Sequence, residues 1–177
     1  MLDTRELGRR PGSMRQVTRT VPAPAELGIE VLRVPEGSPV EIDLRLEAVM
    51  EGVLVTGTAQ AGLEGECGRC LEPITDPERN RVEVTFQELF VYPDHAISGA
   101  DDEVSTLEND LVDLEPLLRD AVVLALPFQP LCSDDCPGLC PECGVRLAEQ
   151  PEHSHGEPVD PRWAGLAALR QDPETRP

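Results

Sequence analysis

The sequence predicts an α+β domain: an antiparallel sheet packed by one main helix, then a cysteine-rich zinc-knuckle segment and a short terminal helix. Three features predict it: apolar alternation over residues 39–50, a helical apolar stripe over 114–125, and four cysteines within CSDDCPGLCPECG, Cys132 to Gly144.

In PVEIDLRLEAVM (39–50), Val40, Ile42, Leu44, Leu46 and Ala48 point one way and Glu41, Asp43, Arg45 and Glu47 the other, which is the two-residue period of a half-buried antiparallel strand. Glu51-Gly52 reads as a turn, and the β-rich run from Val53 to Ala59 as the hairpin partner. A third long strand is expected over RVEVTFQELFVY (81–92). There Val82, Val84 and Phe86 share a face, and the shift at Glu88-Leu89 suggests a bulge or strand end. A shorter strand is expected over 29–34.

From Pro93 to Asp110 the chain turns acidic and loses periodicity, as a solvated linker does. The helix follows. Asp113 suits its N-cap and Pro116 its first turn; Leu114, Leu117, Leu118, Ala121, Val122 and Ala125 form one stripe, and Pro127 and Pro130 stop it. The stripe is expected to pack on the dry face of the sheet. Asp160-Pro161 opens a short terminal helix, PRWAGLAALR, carrying Trp163, Leu166 and Leu169. The resulting division is a basic N-terminal arm (1–22), an α+β core (23–131) with its acidic linker at about 93–110, a cysteine/histidine-rich segment (132–170) and a flexible tail (171–177).

Charge is unevenly spread. The 177 residues carry a formal charge of −19, yet residues 1–20 hold Arg5, Arg9, Arg10, Arg15 and Arg19 against only Asp3 and Glu6. An acidic body repels phosphate backbones, so nucleic-acid contact, if made, is expected from those five arginines. A basic protein partner is the other reading of the same charge. No long apolar run and no leader pattern is visible, so the expected setting is the cytoplasm, without membrane attachment.

In a reducing compartment, closely spaced cysteines are metal ligands or catalytic thiols more often than disulfides. Cys140-Pro-Glu-Cys143-Gly144 has the form of a zinc knuckle: two thiolates bind one ion from a tight turn, and the glycine lets backbone N–H groups approach sulfur. Further donors are Cys67, Cys70, Cys132, Cys136, His153 and His155. Two partitions are open. One joins Cys67 and Cys70 to Cys132 and Cys136, and Cys140 and Cys143 to His153 and His155, giving two zinc sites. The other makes a single local site of Cys132, Cys136, Cys140 and Cys143. His95, beside Pro93-Asp94, reads as a surface residue.

The alternative class is a thiol-redox protein, since Cys67-Gly-Arg-Cys70 has dithiol spacing. Against it, Pro73 and Pro77 argue against the following helix that would lower a thiol pKa, and Glu64, Glu66 and Glu72 would raise one. No phosphate-cradling glycine loop and no nucleophile-base pair is visible, so neither catalysis nor a small-molecule substrate is expected.

Taken in order, LDTRELGRRPGS, PVEIDLRLEAVMEGVLVTGT, ECGRCLEPI leading to VEVTFQELF, DLEPLLRDAVVLALPFQPLC, CPGLCPECG and DPRWAGLAAL resemble the YceD family of bacterial large-ribosomal-RNA accumulation proteins, over about residues 2 to 170. The resemblance implies a non-enzymatic cytoplasmic factor supporting synthesis, processing or stability of large-subunit ribosomal RNA. The partner it implies is that RNA, and the acidic body adds a basic ribosomal protein as the other expected partner. The family's CxRCL turn corresponds to Cys67 to Leu71 and its GLCPxCG knuckle to Gly138 to Gly144. Where some members carry Cys-x-Cys this chain has His153-Ser-His155, a chemically acceptable exchange at zinc.

Overall fold

The computed structural model describes residues 1–95 and 105–155. In chain order the elements are β1 (Leu2–Asp3), β2 (Met14–Pro22), β3 (Gly28–Ile29), β4 (Leu32–Arg33), β5 (Pro39–Ala48), β6 (Gly52–Gly62), β7 (Glu64–Glu66), β8 (Pro73–Ile74), β9 (Arg81–Val91), β10 (Leu111–Val112) and α1 (Glu115–Ala125). They form mostly antiparallel sheet with one helix among the described residues. The main sheet runs β2-β5-β6-β9, a smaller one β3-β4-β7-β8, and β1 pairs with β10.

The alternation in β5 buries Val40, Ile42, Leu44, Leu46 and Ala48 and exposes Glu41, Asp43 and Arg45. Its hairpin with β6 is in register from Val40↔Ala61 to Ala48↔Val53. On β9, Val82, Val84, Phe86 and Phe90 are buried. The helix lies against β9, and its Leu118 and Val122 are buried in the same apolar cluster as those residues. Each such side chain removed from water contributes about 1.5–3 kcal/mol.

Several expectations are corrected. Residues 1–22 are not an arm: β2 is an edge strand paired with β5 from Met14↔Glu47 to Pro22↔Pro39, and Leu2, Thr4 and Leu7 are buried. An edge strand needs little apolar content, and here the half-buried Val17 and Val21 suffice. No bulge interrupts β9; pairing with β6 continues through Val55↔Glu88 and Leu54↔Leu89. Glu88 therefore occupies an inward register position. The strand expected over 29–34 is two short strands, β3 and β4, joined through Glu30 and Val31.

Residues 105–110 are structured as well. Leu107 is buried, Thr106 bridges Val91, and Asn109 and Asp110, both at positive φ, turn the chain between Glu108 and Leu111. The helix N-cap is Leu114, one residue later than expected, although the Asp113 carboxylate accepts the Glu115 N–H at 3.2 Å. The expected helix over 161–170 and the tail lie outside the described residues. No helix among the described residues is long and apolar enough to cross a membrane.

Candidate metal centre

The Cys67–Cys70 turn reverses the chain between the paired strands β7 and β8. Cys67 N–H donates to Glu72 O at 2.8 Å and Leu71 N–H donates back to Cys67 O at 2.9 Å. Closing this turn puts Leu71 at φ +59°, a left-handed conformation that costs a branched residue roughly 1–2 kcal/mol. The turn is fastened to the segment after α1 on both sides: Gly68 N–H donates to Pro130 O at 2.8 Å and Leu139 N–H to Arg69 O at 3.1 Å. The Arg69 guanidinium reaches Cys136 O at 3.0 Å.

These bonds bring four thiols together. Cys67, Cys70, Cys132 and Cys136 have their Sγ atoms within 4.8 Å of one another, with Cys67–Cys136 at 3.8 Å and Cys70–Cys132 at 3.6 Å. A disulfide would need about 2.05 Å. Four thiolates around one tetrahedral zinc at about 2.3 Å lie about 3.8 Å apart, so the donor set fits that ion. Cys67, Cys70 and Cys136 are buried and Cys132 half-buried.

The second group repeats the frame. Cys140 N–H donates to Val145 O at 2.8 Å and Gly144 N–H to Cys140 O at 2.8 Å, with Gly144 at φ +73° where the first turn has Leu71. Cys140, Cys143, His153 and His155 have donor atoms within 4.8 Å of one another. Both imidazoles turn Nε2 to Cys143 Sγ, at 3.2 Å from His153 and 3.1 Å from His155, and the two Nε2 atoms are 2.8 Å apart. A tetrahedral ion with zinc-like bond lengths sets such atoms about 3.6 and 3.3 Å apart, so an ion here spreads the group by about 0.5 Å. The Glu142 carboxylate lies 3.5 Å from His155 Nδ1, the outer contact that orients a ligating imidazole. Cys140 is buried, but Cys143 and His155 are exposed. Arg146 pairs with Glu72, tying the second turn to the first.

The thiols are unequally acidic. Burial opposes the Cys67 thiolate, but the backbone N–H groups of Cys70, Arg69 and Cys132 outweigh it and lower the pKa to about 6. Backbone N–H groups of Cys143 and Glu142 lower Cys140 to about 6 as well. Burial raises Cys70 and Cys136, while the Cys136 side chain, followed by burial, raises Cys132. Each group thus holds one ready thiolate, and a divalent cation supplies the charge that lets the others ionise.

All eight expected ligands fall into two groups, and the grouping is the cross-chain one. The single local site of Cys132, Cys136, Cys140 and Cys143 does not form. Glu142 and Arg69, which the sequence reading did not single out, orient one ligand and hold one strand of the site respectively; both lie inside the Cys-x-x-Cys intervals, the only signal available.

The five arginines form no free basic patch. Arg5 pairs with Asp3 at 3.2 Å, Arg15 with Glu6 at 2.8 Å, and Arg9 with Asp94 and Asp110 at 3.5 and 3.4 Å while its guanidinium stacks on Tyr92. Arg10 and Arg19 have no ion pair among the described residues.

The family model described as "Large ribosomal RNA subunit accumulation protein YceD" matches residues 55–170. The chain belongs to the YceD family. The YceD match opens inside β6 and spans all eight donors. An uncharacterized protein of Mycobacterium tuberculosis is 49% identical over 170 residues, 95% of this chain and 80% of the relative. One of Mycobacterium leprae is 42% identical over 171 residues, 96% and 76% of the two chains. The uncharacterized protein YlbN of Bacillus subtilis is 29% identical over 140 residues, 78% of each. No solved structure matches this YceD-family chain.

Proposed function

We propose that this protein is a non-enzymatic cytoplasmic factor that supports synthesis, processing or stability of large-subunit ribosomal RNA, with two structural zinc sites. The membership that carries this reading is the match to a family described by large ribosomal RNA subunit accumulation. Each donor group offers four protein ligands, and a zinc ion with four protein ligands keeps no open position for water or substrate, which favours a structural over a catalytic role. We take α1 as the principal cover of the main sheet, supported by the burial of Leu118 and Val122. Of the two partner classes, a basic ribosomal protein is favoured over direct RNA contact, because Arg5, Arg9 and Arg15 are already neutralised by the protein's own acids.

One observation favours the thiol-redox alternative: the lowered Cys67 thiol. A redox thiol must also be reachable, and Cys67 is fully buried.

Deletion of the gene tests the proposal. The ratio of large- to small-subunit ribosomal RNA is expected to fall and to recover with wild-type protein, which as purified should carry two zinc ions per chain. An unchanged ratio in the deletion strain would sink the ribosomal reading; metal-free protein would sink the structural-zinc reading.

A further inference from the structure

Because β9 continues without a bulge, Glu88 stands on the side of the sheet that carries Val82, Val84, Phe86 and Phe90. A carboxylate at such a position is costly to cover unless it has a partner. Among the described residues the side chains of Glu88, Glu108 and Asp120 have no hydrogen bond or ion pair, although the Glu88 backbone pairs with Val55 in the ladder. These three carboxylates, with Asp113, line one cavity of about 470 Å³ between β9 and α1. The rest of that lining is largely apolar, with Phe90, Leu111, Pro116 and Leu117; no Lys, Arg or His belongs to it, and its one cationic residue is Met1, through the α-ammonium. The apolar stripe continues outward along the helix. Leu124, one turn beyond Asp120, is 85% exposed, and Phe128, just past the helix end, is fully exposed.

We propose that this groove docks a basic segment of a protein partner. Lysine or arginine side chains enter among Glu88, Glu108, Asp113 and Asp120, and the segment's apolar side chains run over Leu117 and Leu124 to Phe128. Charge complementarity selects this occupant: four carboxylates offset by no Lys, Arg or His and by a single α-ammonium, that of Met1, leave a net negative groove that repels RNA phosphate and attracts ammonium or guanidinium groups. Aromatic and leucine side chains exposed beside such a pocket are what a helix-in-groove or strand contact buries. The inference rests on the assembly-factor reading, to which it adds the class of partner.

Fluorescence anisotropy with three labelled probes tests it: three repeats of Lys-Leu-Lys-Lys-Leu, the same peptide with Glu for Lys, and a single-stranded RNA of about 20 nucleotides. The Lys/Leu peptide is expected to bind and to weaken at least tenfold in Glu88→Gln/Asp120→Asn, and again in Leu124→Ser/Phe128→Ser. Neutralising two acids on the opposite face, Glu41→Gln/Glu83→Gln, is expected to leave binding within twofold; unchanged zinc content and circular dichroism check that each variant is folded. Equal losses in the two neutralised pairs would mean diffuse charge attraction and overturn the groove. So would undiminished binding in the groove variants, or binding of the RNA in preference to the peptide. A groove variant that restores ribosomal RNA in the deletion strain also overturns the docking proposal and leaves the function standing, whereas an unaltered deletion strain sinks the function while the peptide titration still reports on the groove.

Discussion

The Sγ atoms of Cys67 and Cys136 lie 3.8 Å apart across 69 residues of chain. This contact and its companion between Cys70 and Cys132 join the β7-β8 turn to the segment leaving α1. An ion held there closes a far longer loop than one held by Cys140, Cys143, His153 and His155. Cys67→Ser is expected to lower bound zinc by about one ion per chain and to cost about 3 kcal/mol or more, a fall in Tm of about 6–12 °C. Metal analysis beside a melting curve checks both, and undiminished zinc would refute the cross-chain site.

The two sites should differ in lability. Cys143 and His155 are exposed while three of the four thiols of the first site are buried, so a chelator is expected to remove the second ion well before the first. Glu142→Gln weakens the outer contact to His155 and is expected to lower affinity at the second site about tenfold or more without touching the first. Competition with a chromophoric chelator reads both ions in one trace; simultaneous release would contradict this ordering.

Proton release provides a third test. At pH 7.5 the metal-free first site holds Cys67 already ionised, with its pKa lowered to about 6, while Cys70, Cys132 and Cys136 are raised above their ordinary 9.0 and remain protonated. Binding at that site is expected to release about three protons per ion, and calorimetry in two buffers of different ionisation enthalpy measures the number. Because the Cys67 pKa is depressed on folding, its ionic contribution is fully present above its unfolded value of 9.0 and is lost as pH falls through about 6. Zinc affinity should therefore fall as pH drops below the range in which Cys70, Cys132 and Cys136 ionise, and one proton more steeply below about pH 6, where Cys67 is protonated as well.

Leu71 offers a substitution that stabilises. It is 60% exposed at φ +59°, and the equivalent position in the second turn is Gly144. Leu71→Gly is expected to raise stability by about 0.5–1 kcal/mol, and Leu71→Ala, which keeps the strain, to leave it within about 0.3 kcal/mol. Thermal melts of the metal-loaded variants decide this, and a lower Tm for Leu71→Gly would show that the leucine side chain is held by contacts worth more than the strain.

Much of the architecture was legible because burial on one face writes itself into the sequence. Val40 through Ala48 alternate and pair as that alternation requires, and Leu118 and Val122 fall on the buried side of α1. β2 was hidden because it sits at the edge and buries no side chain fully; its arginines read as a free arm, whereas three of the five arginines lie against the protein's own carboxylates. At Glu88-Leu89 a local apolar pattern suggested a slipped register, but strand pairing overrode it and kept a charged residue inward. The ligand partition had no local signal at all. Both partitions satisfy tetrahedral zinc, and only backbone bonds such as Gly68 to Pro130 and Leu139 to Arg69 choose between them.

The span between Cys67 and Cys136 also orders events during synthesis. All four strands of the main sheet have been made once residue 91 is out, but the first thiol cluster must wait for Cys136. At translation rates of about 5–20 residues per second, the dithiol of the first turn stands open for roughly 3–14 s before its second pair arrives. A nascent chain of this protein therefore passes through a stage in which every strand of the main sheet has been made while the clasp is unfinished, and it is the arrival of Cys132 and Cys136 that lets the clasp close.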